Sequence, residues 1–151
     1  GLAKAIELLG VKADFNAGDP KNCPNITVNG RKISGSAQSY KGGTILQHGT
    51  LLMKVDLEKM FTFLRVPWAK TCMEIVNVAE RKITSVKNEI GSEITVERTV
   101  ETLIKGFEHA FDIELSEEGL TEEELEAVKV LHREKFSNED WTFFGTMDRT
   151  R

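Results

Sequence analysis

The dipeptide Asn29-Gly30 stands between "ITV" (residues 26–28) and "RKISGSAQSY" (31–40), two runs that suit extended backbone. Asn-Gly between such runs is the strongest short-range hairpin signal, because both residues tolerate the positive φ of a two-residue turn. A second turn, "KGG" (41–43), leads into "TILQHGTLLMKV" (44–55). Three sequential antiparallel strands are therefore expected, and the rest of the chain must pack around them. Gly35, Ala37 and Gly49 leave gaps where strands normally carry β-branched or aromatic side chains, which marks a bulge or the close approach of a ligand or another backbone.

Helical periodicity dominates elsewhere. "GLAKAIELLG" places Leu2, Ile6 and Leu9 on one face, but no capping residue precedes it, so the chain reads as beginning inside a longer pattern. "VKADF" is a short strand candidate, followed by a turn-rich loop from Asn16 to Asn25. "DLEKMFTFLRV" reads as a helix capped by Asp56 and ended by Pro67, and a possible helix lies within 68–92. A longer helix, about 96–111, turns Val100, Leu103, Ile104, Phe107 and Phe111 inward; "DIELSE" follows as an edge strand. The last helix opens with the capping box Thr121/Glu124 and buries Leu125, Val128, Leu131 and Phe136. The expected class is mixed, α/β or α+β: an antiparallel or mixed sheet with helices on one side, in a single domain over 1–151.

Composition excludes several function classes. With 151 residues, 40% hydrophobic and 29% charged, the chain has ordinary globular usage. No apolar run approaches the ~18 residues of a membrane-spanning helix. A net charge of −4 argues against a broad nucleic-acid surface. Two cysteines, Cys23 and Cys72, have no metal-ligand spacing and are too few for a disulfide scaffold, which favours a reducing cytoplasm.

Strict alternation along 31–41 puts Lys32, Ser34, Ser36 and Gln38 on one face and Ile33, Gly35 and Ala37 on the other. In the following strand Leu46, His48, Thr50 and Leu52 share a face whose mixture of polar groups and apolar walls suits a ligand with an apolar tail and a polar head. His109 and His132 fall on helices without ligand-spaced partners, Trp68 and Trp141 read as packing anchors, and "TEEELE" as a solvated helix start.

"VNGRKISGSAQ" followed by "LQHGTLLMKVDLEKMF" closely resembles the lipoate-protein ligase family, in which a G-K/R-K-I-S-G-S-A stretch precedes an H-H-G-T/S-L-L strand. "ITSVKNEI", "TEEELEAVKVLHREKF" and "NEDWTFFG" resemble later segments of that family in the same order. The resemblance implies a fold related to biotin protein ligases and class II synthetase cores. It further implies use of ATP and Mg²⁺ to convert lipoate to lipoyl-adenylate, and transfer of the lipoyl group to a lysine of a carrier domain, such as glycine cleavage H protein or a 2-oxoacid dehydrogenase E2. Lys32 matches the catalytic lysine. An ammonium there would stabilise the charge that develops as carboxylate meets phosphate. Asn25, Ser34, Gly35, Ser36, Ala37, His48, Gly49 and Thr50 fall where the acyl chain or adenylate would bind.

Two departures accompany the match. Pro24-Asn25 stands where the family has Asn-Asp, which removes an acid for Mg²⁺ or adenylate and leaves the metal ligands unassigned. The family's R-R-x-S/T-G-G-G segment has no counterpart, so the chain is expected to be the C-terminal part of a catalytic domain that works with its N-terminal half. Two alternatives follow: an octanoyl or lipoyl transferase of the same superfamily, using a cysteine thioester and no ATP, with Cys23 in the loop before the hairpin; and a non-catalytic module that binds an acylated carrier.

Overall fold

The computed structural model describes residues 1–19, 23–64, 66–67 and 71–145. The chain gathers into two compact units, residues 1–115 and 116–151. Trp68 lies outside the described residues.

The first unit holds helix α1 (Leu2–Leu8), strands β1 (Asp14–Asn16), β2 (Asn25–Val28), β3 (Arg31–Lys41) and β4 (Thr44–Leu51), and helices α2 (Leu57–Phe63), α3 (Cys72–Ala79), α4 (Val86–Ile90) and α5 (Val96–Phe111). The strands form one antiparallel sheet in sequence order β1-β2-β3-β4. Asn29 and Gly30 adopt φ of 51° and 73°, and Gly42 and Gly43 φ of 58° and 81°, so both hairpins close through two-residue turns whose positive φ follows the strand twist. Helices pack against this antiparallel sheet, as the sequence implies. The buried core joins Ile6 of α1, Val11, Ile26 and Val28 of β2, Ile33 of β3 and Val86 of α4.

Local signals set the helix starts. Asp56 accepts a hydrogen bond from the Lys59 amide at 2.9 Å and caps α2, as its position before "LEKMF" predicts. Thr71 and Glu74 form a capping box that opens α3 inside the stretch where the sequence gave only an ambiguous signal. Ser85 caps α4.

Three expectations are corrected. In α5 the buried residues are Thr99, Thr102 and Gly106, whereas Val100, Ile104, Phe107 and Phe111 are 40–64% exposed. The cause is a close crossing: a Cβ on Gly106 would stand 2.6 Å from the Ala5 nitrogen, so α1 lies against the small-residue side of α5. The two threonines satisfy their hydroxyls on carbonyls one turn back, Thr99 on Thr95 at 2.9 Å and Thr102 on Arg98 at 2.7 Å. Second, "DIELSE" forms no edge strand; residues 113–121 have no regular structure, and the Leu115 amide donates to the Glu108 carboxylate instead.

The third correction concerns the second unit. It contains helix α6 (Glu122–Leu131), with the expected Thr121/Glu124 capping box, running into π-helical turns at His132–Phe136 and Asp140–Phe144. Leu125, Val128, Leu131 and Phe136 are 45–55% exposed rather than buried. Within this unit α6 has, among the described residues, only the short π-helical turns beside it, where Phe136 meets Trp141 edge-on at 6.1 Å and Lys135 lies 4.0 Å above the Trp141 ring. Among the described residues no helix is long and apolar enough to cross a membrane.

Candidate functional site

The geometry around Lys32 starts from an irregularity. On β2 and β3, Asn25 pairs with Gly35 and Ile26 with Ser34, but Thr27 pairs with Lys32, which skips Ile33. One extra residue on β3 is a β-bulge, and it shifts every side chain beyond it to the opposite face. Consecutive residues Ile33 and Ser34 are both buried, 0% and 1% exposed, which strict alternation would forbid on a one-sided core.

The faces therefore differ from the alternation read in the sequence. Cross-strand partners share a face. Lys32 lies with Thr27, and Asn25 with Gly35; Thr50 pairs with Gly35 and His48 with Ala37. The bulge thus gathers Asn25, Lys32, Gly35, Ala37, His48 and Thr50 on one face. Ser34, Ser36 and Gly49 point to the core side, where Ser34 Oγ is buried without a hydrogen-bond partner. Lys32 does not share its face with Ser34 and Ser36; glycine and alanine accompany it.

That substitution has a steric reason. A Cβ on Gly35 would stand 3.2 Å from both Cε and Nζ of Lys32, so the lysine side chain lies along the strand over Gly35. A Cβ on Gly49 would stand 3.0 Å from the Gly35 carbonyl oxygen, so the backbone opposite is close as well. The missing side chain at Gly35 makes room for the ammonium to lie across β3. His48 and Thr50 are exposed on the same face.

The loop entering β2 comes to the same place. Cys23 is a free, exposed thiol. Asn25 Nδ2 donates to the Cys23 carbonyl oxygen at 3.2 Å, and the Ser36 amide donates to the Pro24 carbonyl at 3.4 Å. Cys23 is thus two residues from Asn25, whose strand partner Gly35 lies beneath the Lys32 ammonium. A mostly apolar cavity of about 380 Å³ lies chiefly on the other face of the ribbon, lined by Phe15, Ser36, Gln38 and Phe111, and reaches Pro24 and Ala37. The bulge could not be read from spacing alone.

The donor set on the face does not suit Mg²⁺. Asn25, Thr27, His48 and Thr50 supply no carboxylate, whereas Mg²⁺ takes hard oxygen ligands. No cluster of three or more His, Cys, Asp or Glu among the described residues could hold a metal.

Comparison with known proteins adds the lineage. A family model described as the lipoyl protein ligase A/B catalytic domain matches residues 1–108. Octanoyltransferase LipM of Clostridioides difficile (strain 630) is 31% identical over 155 aligned residues, covering 93% of this chain and 57% of that protein. Octanoyltransferase LipM of Geobacillus kaustophilus is 34% identical over 118 residues, covering 78% of this chain and 42% of that protein. The chain thus spans about half the length of these relatives. Among solved structures, a bipartite lipoate protein ligase from Thermoplasma acidophilum, studied with its E2 lipoyl domain, has the same fold with a TM-score of 0.79 and 22% identity, over 99% of this chain and 57% of that one. With a lysine lying over Gly35 of a hairpin strand, an antiparallel sheet in this order and a family match over more than two-thirds of its length, the chain belongs to the lipoyl protein ligase A/B catalytic domain family.

Proposed function

We propose that this chain carries the chemical centre of an octanoyl or lipoyl transferase that works through a thioester on Cys23, rather than through ATP. The observation that carries the proposal is an exposed free thiol, Cys23, on a loop whose main chain is hydrogen-bonded by Asn25, the strand partner of the Gly35 that lies beneath the Lys32 ammonium. The similarity to proteins named octanoyltransferase supports it. So does Asn25, which stands where an ATP-using relative is expected to have an acid.

In the first half-reaction the Cys23 sulfur attacks the carbonyl of an acyl thioester donor. The C–S bond to the donor breaks, and the donor leaves as a thiol, taking the proton that Cys23 gives up. In the second, the amine of a lysine on an acceptor carrier domain attacks the Cys23 thioester; an amide forms, the C–S bond to Cys23 breaks, and an amine proton returns to sulfur. Both steps place negative charge on the carbonyl oxygen, and the Lys32 ammonium is the cation to meet it. The acyl chain runs over the exposed ribbon face that carries Ala37 and His48, with further walls supplied by protein outside these 151 residues. Carrier domains such as glycine cleavage H protein or a dehydrogenase E2 are the acceptor class, and a reducing cytoplasm keeps the thiol free.

The test uses the full-length protein, an octanoyl-carrier thioester and no ATP. Intact mass should show an octanoyl adduct on Cys23 that hydroxylamine removes. Cys23→Ser should abolish transfer, and Lys32→Ala should lower turnover by ~10²-fold, the size of losing one oxyanion-stabilising group. The competing ligase chemistry predicts lipoate-dependent pyrophosphate exchange with ATP that survives Cys23→Ser; that result would sink the transferase.

A further inference from the structure

The position of Lys32 depends on a bulge, and a bulge needs something to hold it. Without it, β3 slips by one residue against β2 and Lys32 turns to the other face. β2 alone does not select the observed register, because there Ile26 pairs with Ser34 and Val28 with Arg31, and neither apolar residue is matched to an apolar partner.

The segment after α3 reads the backbone of Lys32 directly. The Lys32 amide donates to the Lys82 carbonyl at 2.7 Å, and its carbonyl accepts from the Thr84 amide at 2.9 Å, a parallel bridge centred on Ile83. Thr84 is fully buried. Its hydroxyl donates to Glu89 Oε1, and the same oxygen accepts from Arg31 Nη2 at 2.6 Å. The Glu89 side chain is only 7% exposed. A closed circuit results: Lys32 to Arg31 through the chain, Arg31 to Glu89, Glu89 to Thr84, and Thr84 back to the Lys32 carbonyl. In the slipped register Arg31 would leave its place in that circuit.

We infer that Glu89 is a positioning residue, which through Arg31 and Thr84 holds β3 in the bulged register and so keeps Lys32 on the face of the site. This rests on the role of Lys32 proposed above. Buried ion pairs add little net stability against an apolar alternative, because desolvation offsets the attraction; fixing a register is the use for which they are best attested. A circuit that closes on one backbone position fits that use.

The experiment measures acyl transfer by the full-length protein for Glu89→Ala, Glu89→Gln and Thr84→Val, each alone and with Lys32→Ala. If Glu89 acts through Lys32, Glu89→Ala lowers kcat about tenfold or more with KM within about twofold, the scale expected when a reacting group is misplaced. Glu89→Gln, which still accepts both hydrogen bonds, recovers part of the loss. Added to Lys32→Ala, neither Glu89→Ala nor Thr84→Val should cost anything further. Unchanged kcat in the single variants, or losses that multiply in the Lys32→Ala background, would overturn the inference. Thr84→Val guards against misfolding of the Glu89 variants, because it keeps both main-chain bonds. Should Lys32→Ala itself leave turnover intact, the proposed function fails, and amide hydrogen exchange at Lys32 then decides the brace alone: protection lost in Glu89→Ala supports it, and protection kept refutes it.

Discussion

The two ends of the β3–β4 ribbon share a strand pair and little else. At the base, Ile33 and Ser34 are buried and Lys32 is held by hydrogen bonds from the segment 82–84. Toward the turn, every residue from Ala37 to Thr50 is exposed, with Tyr40 at 72%, Ile45 at 60% and Leu46 at 64%. The ladder of main-chain bonds is continuous from end to end, so backbone pairing does not distinguish the halves. What distinguishes them is what lies beneath. The candidate site sits at the junction, where the base holds the Lys32 backbone and the outer half of the ribbon is exposed.

The largest test of this contrast is Ile33→Ala. Removing a fully buried isoleucine at the base should cost about 2–5 kcal/mol in urea unfolding of the full-length protein. Tyr40→Ser, at the open end, should cost less than about 0.5 kcal/mol. A cost comparable to that of Ile33→Ala would show that a segment beyond residues 1–151 covers the ribbon.

Between these lies Gly35→Ala. Its methyl would meet the end of the Lys32 side chain 3.2 Å away, a flexible group that can move, so stability should change by less than about 1 kcal/mol. The ammonium is displaced nonetheless, and turnover should drop about tenfold. An active, normally folded Gly35→Ala variant would show that the ammonium does not need to lie across β3.

The smallest effect concerns the surface beside the base. Glu93 accepts from Lys87 at 2.7 Å and Lys54 at 3.1 Å, and these hydrogen bonds lower its carboxyl from 4.5 to about 2. A depressed carboxyl contributes stability above its unfolded value, and the contribution disappears as pH falls through about 2. The melting-temperature gap between wild type and Glu93→Gln should thus be small at neutral pH, close between pH 4.5 and 2, and shrink in high salt, because Glu93 and Lys54 are largely exposed and Lys87 partly so. A gap that persists in acid would assign the effect to packing.

The contrast also explains what the sequence could reveal. Hairpins are local: Asn29-Gly30 and Gly42-Gly43 declare their turns through backbone freedom, and the strands on either side follow. The bulge at Ile33 left no trace, because one added residue changes neither composition nor propensity, only phase. Arg31 and Glu89 are 58 residues apart, and nothing along the chain connects them before it folds. In α5 the apolar stripe was correctly located but wrongly oriented, since hydrophobicity marks Val100 and Phe107 while the close crossing on α1 selects Thr99, Thr102 and Gly106. The site residues Lys32, Gly35, Ala37, His48 and Thr50 were named together, but their shared face required the register.

That phase has a consequence for how the gene can change. Side chains on a strand are read in twos as codons are read in threes, and the bulge at Ile33 is a single-residue frameshift already built into β3. Deleting Ile33 itself would leave Thr27–Lys32, Ile26–Ser34 and Asn25–Gly35 paired as they are, whereas deleting one residue between Ser34 and Lys41 exchanges the faces of the positions beyond it up to the turn. Point substitutions between Ser34 and Lys41 can each be tolerated on their own terms, whereas a one-residue indel rewrites the whole strand at once. Insertions and deletions compatible with this ribbon should therefore come in pairs, or gather at its turn near Gly42 and Gly43, where no frame follows.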